Sequence, residues 1–202
     1  MIRALIYDIG NVLVRTEDLS PRRAWEHKLQ LAHDAIEPLV HATELNSRYE
    51  RGELDTAQFW SLTGTNLGIP ESQLDQFRAD FYAGDHLNSE MMAFIRARRL
   101  AGLKTAIISN APKAMRTKLR DELEILDDFD VVTISGEVGV RKPAASIFAA
   151  CCAALRIAAN ETIFVDDIAE NCEGARAAGL HAVHFMDNPS AMQAIERLIA
   201  AP

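Results

Sequence analysis

The sequence predicts an α/β fold: a parallel sheet covered by helices on both faces, with a helical segment inserted after the first strand. Three observations carry this. Apolar, β-rich runs ending in a polar residue recur at 4–8 (ALIYD), 105–110 (TAIISN), 131–135 (VVTIS) and 162–167 (TIFVDD). Near-continuous apolar strands of this kind suit a sheet buried on both faces. Helical patterns alternate with the runs, as right-handed strand–helix–strand crossovers require. Residues 15 to about 86 break the rhythm and contain no convincing strand.

Taken in order, ALIYD is the first strand and 1–14 opens the core. Amphipathic helical segments follow at roughly 21–33, 35–50, 55–67 and 70–83, punctuated by RGELD (51–55) and LGIPES (67–72). The segment 15–86 therefore reads as a helical cap module seated over the strand ends, and 87–202 returns to the core. A helix at 89–102 closes on Gly102 as a C-cap. The strand at 105–110 leads to Pro112, which suits a first helical position. After VVTIS, a helix at 143–155 opens with Pro143, and the strand TIFVDD feeds a helix at 169–180. A fifth strand, HAVHF (181–185), and a last helix near 189–200 complete the core.

A chain of 202 residues can bury one good core with a small inserted module. Its 49% hydrophobic and 25% charged content is ordinary for a soluble globular protein. The net charge of −8 argues against nucleic acid or an anionic membrane as partner, since their phosphates would be repelled at long range. It says little about a small phosphorylated substrate, because a few local cations and a metal can reverse the field at one site. Cys151, Cys152 and Cys172 have neither metal-ligand spacing nor an even count, so buried reduced thiols are expected. With no run approaching a membrane span and an apolar N-terminal run interrupted at Asp8, a soluble, cytoplasmic protein is expected.

In an open parallel sheet, ligands bind outside the carboxyl ends of the strands. Four strands here end in Asp8, Ser109-Asn110, Ser135 and Asp166-Asp167, and the loop GEVGVRKP adds Lys142. A lone aspartate after a strand is more often a turn or capping residue. Carboxylates, a hydroxyl and an ammonium converging on one point are instead an inventory for metal-assisted phosphoryl transfer. Ser135 alone is read as a turn residue.

YDIGNVLV, IISN, the lysine of VRKP and FVDDIAENCEGARAAGL, in that order and spacing, resemble the four motifs of the haloacid dehalogenase (HAD) superfamily. The insert position resembles a C1-type helical cap. DxGNVxV, RGE, RKP and the DDxxEN run are most similar to the epoxide-hydrolase-like phosphatases, which include α-D-glucose-1-phosphate phosphatases. The resemblance implies a Rossmann-like core and a Mg2+-dependent phosphatase acting on a small phosphorylated metabolite. It implies Asp8 as nucleophile forming an aspartyl-phosphate. Ser109, Asn110 and Lys142 would hold the phosphoryl group. The metal would lie on Asp8, the Gly10 carbonyl and Asp167, with Asp166 as a second ligand or one acting through water. Asn171 would buttress Asp167.

Position 10 in that pattern usually carries an aspartate that protonates the leaving oxygen and later activates water. Glycine keeps the carbonyl and removes the carboxyl. Losing a general acid–base typically forfeits ~10²–10⁴ in rate, and less for a good leaving group. An activated substrate such as a sugar-1-phosphate or acyl phosphate is therefore expected, or a donor from the insert, with Glu17, Asp18, His27 and Glu53 as candidates. Two alternatives stand beside this reading. A degenerate member could bind a phosphometabolite or a protein partner without turnover. A 2-haloacid dehalogenase, which uses no metal, fits poorly with the carboxylate pair of FVDD.

Overall fold

The computed structural model describes residues 1–201. In chain order the elements are β1 (Ala4–Tyr7), β2 (Val14–Thr16), α1 (Ser20–Lys28), α2 (Ile36–His41), α3 (Glu44–Glu50), α4 (Thr56–Leu67), α5 (Leu74–Tyr82) and β3 (Asp85–Leu87). There follow α6 (Ser89–Leu100), β4 (Lys104–Ser109), α7 (Met115–Asp121), β5 (Val131–Ile134), α8 (Ser135–Val138), α9 (Ala145–Leu155), β6 (Thr162–Asp166), α10 (Ala169–Ala177), β7 (His181–His184) and α11 (Asn188–Ala200). The five-stranded sheet runs β5-β4-β1-β6-β7 and every pairing in it is parallel.

The period-two geometry of a strand sends successive side chains to opposite faces. Leu5 and Tyr7 of β1 enter one apolar cluster with Ile107, Val165 and the α6 residues Met91, Met92 and Ile95. Ala4 and Ile6 enter the other, with Ile108, Phe164 and the α9 residues Ile147, Phe148 and Cys151. The sheet is thus covered on both sides, and the three cysteines are buried and free. Phe148 and Phe164 meet edge-to-face at 5.1 Å, locking α9 onto the sheet.

Between β2 and β3 the helices α1–α5 build their own cluster around Trp25, Phe59, Trp60, Phe77 and Phe81. Asp55 starts α4 with a capping box: its carboxylate accepts from the Gln58 N–H at 2.8 Å, and the Gln58 side chain accepts from the Asp55 N–H. Thr43 caps α3 with one bond, its Oγ accepting from the Asn46 N–H at 3.0 Å. That cap splits the single helix expected over 35–50 into α2 and α3.

Three further expectations need correction. The insert is joined to the core by an antiparallel ribbon, β2 with β3, whose three-residue strands are too short for any periodicity to betray. Gly84 sits at the insert end of this ribbon, and a Cβ there would fall 1.8 Å from the Asp18 carbonyl oxygen. Pro112 does not open a helix, since α7 begins at Met115, and Pro143 likewise precedes α9 by two residues. Among the described residues, no helix is long and apolar enough to cross a membrane.

Candidate active site

Asp8, at the end of central strand β1, is buried, as are Ser109 at the end of neighbouring β4 and Asp166 at the end of β6. Parallel pairing of β1 with both neighbours brings these termini together. The Lys142 ammonium lies 2.8 Å from Asp8 Oδ1 and donates to Asp166 Oδ2 at 2.6 Å. Asp8, Asp166 and Asp167 each present one oxygen within 4.8 Å of the others.

Several devices fix Lys142. Asn110 clasps its backbone reciprocally: the Lys142 N–H donates to Asn110 Oδ1 at 2.8 Å, and Asn110 Nδ2 donates to the Lys142 carbonyl at 3.1 Å. The Asn110 side chain is therefore engaged with the Lys142 backbone. Gly174 of α10 admits the lysine loop, because a Cβ there would fall 2.6 Å from both Pro143 Cβ and the Pro143 carbonyl oxygen. The glycine of the EGA run is thus explained by close approach.

Asn171 braces Asp166 instead of Asp167, a correction to its expected role. Its Nδ2 donates to both Asp166 oxygens, at 3.0 and 3.1 Å. With the Ile168 N–H on Oδ1 and Lys142 on Oδ2, both Asp166 oxygens are occupied. Asp167 is held by Asn11, whose Nδ2 donates to its Oδ2 at 2.8 Å. Asn11 has φ 54, a left-handed conformation that Asn tolerates better than most residues. That tolerance is the signal in GNV by which its role could have been found.

Three carboxylates face one ammonium here, so two negative charges are left unmatched. Burial pushes the Asp8 carboxyl up to about 6; Lys142 pulls it back and Asp166 raises it further. Asp167 is likewise raised, first by burial, against the Asn11 hydrogen bond. For Lys142, burial acts downward, but Asp8 and Asp166 outweigh it and the net direction is up, so it is charged. An all-oxygen site with surplus negative charge fits a hard divalent cation. Asp8 and Asp167 are the carboxylates best able to ligate one. The Gly10 carbonyl accepts from the Val12 N–H at 2.7 Å and retains a second lone pair.

Gly10 itself is open: a Cβ built there meets nothing within 4 Å, and its φ is not in the left-handed range. It lines a cleft of about 460 Å³ between insert and core, together with Asn11, Ser109, Tyr49 and Glu50. None of Glu17, Asp18, His27 and Glu53 lines that cleft. Asp18 caps Ser20, and Glu53 is held by Arg48 and Arg51. Of the aromatic and basic residues of the insert, Arg22, Arg23, His41, Tyr49 and Tyr82 reach the cleft, while Trp25 and Trp60 belong to the insert's core.

Ser135 is no mere turn residue. Fully buried, its Oγ accepts from the Ala111 N–H at 2.9 Å and donates to the Glu50 carbonyl at 2.6 Å. Arg141 donates a hydrogen bond to Ser47 Oγ at 2.9 Å and is ion-paired with Glu50 Oε2 at 2.7 Å. Gly52 of RGE packs on Gly136, where a Cβ would fall 2.2 Å from the carbonyl oxygen. One insert segment, 47–52, is thereby tied to both loops that carry Ser109 and Lys142.

Residues 2–179 match the haloacid dehalogenase-like hydrolases. The chain belongs to this family. It is 23% identical over 197 residues to a sesquiterpene phosphatase of Aspergillus oryzae, covering 98% of this chain and 96% of that one. It is 36% identical over 99 residues to phosphoserine phosphatase of Thermus thermophilus, but covers only 39% of that enzyme. Among solved structures, a HAD-like hydrolase from Porphyromonas gingivalis superposes with a TM-score of 0.79 at 21% identity, covering all of both chains. A HAD enzyme from Bacteroides thetaiotaomicron, in complex with magnesium and inorganic phosphate, gives 0.73 at 21% identity, covering 91% of this chain and 93% of that one. These likenesses establish the fold. With the family, they make the protein a HAD-fold hydrolase.

Proposed function

We propose that the protein is a Mg2+-dependent phosphatase that hydrolyses a small phosphate monoester or acyl phosphate through an aspartyl-phosphate on Asp8. The observation that carries the reading is Lys142, pinned between Asp8 and Asp166 at the strand ends. An ammonium there offsets charge on both the nucleophile and the phosphoryl oxygens. Asp8, Asp167 and the Gly10 carbonyl would hold the cation, which supplies further charge neutralisation and orients the phosphoryl group.

Asp8 attacks phosphorus as the bond to the leaving oxygen breaks in line with it. Ser109 Oγ and the Asn110 N–H would orient the phosphoryl oxygens. With no carboxyl at position 10, the leaving oxygen takes its proton from solvent, and the water that later attacks the aspartyl-phosphate gives its proton to solvent. Leaving groups that depart as stabilised anions are favoured on that account.

Hydrolysis of p-nitrophenyl phosphate or acetyl phosphate, with and without magnesium and against an Asp8→Asn blank, tests the reading. Magnesium-dependent turnover lost in Asp8→Asn is expected. Only the open Gly10 position favours the competing reading, phosphometabolite binding without turnover, and an active protein with an inactive blank would exclude it. The relatives' names include both a sesquiterpene and a phosphoserine phosphatase, so they leave the organic group of the substrate open.

A further inference from the structure

We propose that the cleft between insert and core takes phosphate esters whose organic group is apolar, in preference to polyhydroxylated ones. This rests on the phosphatase reading for what occupies the end at Gly10 and Ser109, and on the cleft wall for the rest. At about 460 Å³ the cleft is of the size that holds a small organic ligand.

A sugar brings several hydroxyls, and each one stripped of water needs a free donor or acceptor to replace it. Most of the buried polar side chains of this cleft are engaged with the protein itself. The buried Glu26 carboxylate accepts from the Asp34 and Ile36 N–H groups, both at 3.1 Å, closing the entry to α2. Arg22 donates to the Phe81 carbonyl at 2.8 Å and to Asp85 at 3.2 Å, and Thr16 donates to the same Asp85 oxygen at 2.7 Å. Asn46 donates to the His41 carbonyl and to Glu50, each at 2.9 Å, and Glu50 is paired with Arg141. The remaining ionisable groups are Arg23, Asp34 and Glu37, which are exposed, His41, whose ring lies edge-on to Phe81 at 5.3 Å, and Lys118, whose ammonium lies 5.0 Å from the centre of the Tyr82 ring.

What the wall offers beyond Gly10 is hydrocarbon: Val14, Leu19 and Ile36 from the stem and insert, and Met115 and Leu123 from the core, with Tyr49 and Tyr82. Leu19, Met115 and Leu123 are only partly buried without a ligand, so an occupant would remove apolar surface from water on both sides of the cleft.

Binding tests this without requiring turnover. Dissociation constants of n-alkyl phosphates from ethyl to octyl, and of glucose 1-phosphate, would be measured calorimetrically on Asp8→Asn protein with magnesium. Affinity is expected to rise roughly fourfold per methylene until the chain outgrows the cleft. Hexyl phosphate should bind more tightly than glucose 1-phosphate, and Leu123→Gln or Met115→Gln should flatten the chain-length series. Affinity independent of chain length, or glucose 1-phosphate binding the tighter, overturns the inference; the wild-type cleft series decides this even where a variant does not fold. Acetyl phosphate, which has no tail, reads the chemistry separately. A protein inert toward it that still shows the chain-length series would retain the apolar cleft and lose the phosphatase reading.

Discussion

The two flanks of Asp8 are built to different standards. On one side, Lys142 is gripped by two carboxylates, its loop is clasped by Asn110, and Gly174 makes room for Pro143 behind it. On the other side stands Gly10, where a side chain would meet nothing within 4 Å. Charge neutralisation is held by a fixed network around one buried ammonium; proton transfer has no side chain at the position that usually supplies it. Such an arrangement stabilises charge on a phosphoryl group well and leaves the fate of the departing oxygen to the substrate's own acidity.

The largest expected effect comes from breaking the fixed flank. Lys142→Met strands Asp8 and Asp166 as buried carboxylates without a counter-charge, which costs about 3–5 kcal/mol by analogy with broken buried pairs. Steady-state kinetics should show turnover reduced by at least ~10³-fold, and thermal unfolding should fall with it. Unchanged stability would mean that the carboxylates are neutral or otherwise paired.

A smaller loss is expected for Asn171→Ala, which frees both Asp166 oxygens from one donor while leaving Lys142 in place. About a tenfold drop in kcat, with little change in KM, is the scale usual for such supporting groups. A loss confined to magnesium affinity would instead return Asn171 to Asp167, the role that one helical turn of spacing suggests.

The mildest effect concerns acidity. Burial raises Asp8 to about 6, and protonation removes the charge a cation needs. Magnesium affinity, followed by calorimetry, should therefore hold above that value and weaken as pH falls through it, by about tenfold per unit once the proton dominates. Affinity flat from pH 7 to 4 would place the cation away from Asp8.

Much of this site was readable in the sequence because strand termini in a parallel sheet converge by topology alone, so Asp8, Ser109 and Asp166 needed only the strand pattern. The partners of those residues were not readable. Whether Asn171 meets Asp166 or Asp167 depends on how α10 is rotated, and a difference of one residue is below what helical spacing resolves. Ser135 looked like a turn because its partners, Ala111 and Glu50, are remote in sequence and lie on a loop and on the insert. The ribbon of β2 and β3 escaped notice for a related reason: three residues carry no period, and the pairing joins segments 69 residues apart. In the insert, Arg48, Arg51, Glu44 and Glu53 are tied to one another, a matter of side-chain pairing that composition does not encode.

The open flank is tested most directly by the dependence of kcat/KM on leaving-group pKa, measured over a series of aryl and alkyl phosphates for the wild type and for Gly10→Asp. Position 10 has room for the side chain and no left-handed backbone to oppose it. A steep fall in rate with rising pKa is expected in the wild type. In Gly10→Asp the slope should flatten, with alkyl phosphates gaining ~10–10²-fold from a restored general acid. A wild type whose rates are already flat across the series, and which Gly10→Asp does not improve, would contradict the account and mean that another group protonates the leaving oxygen.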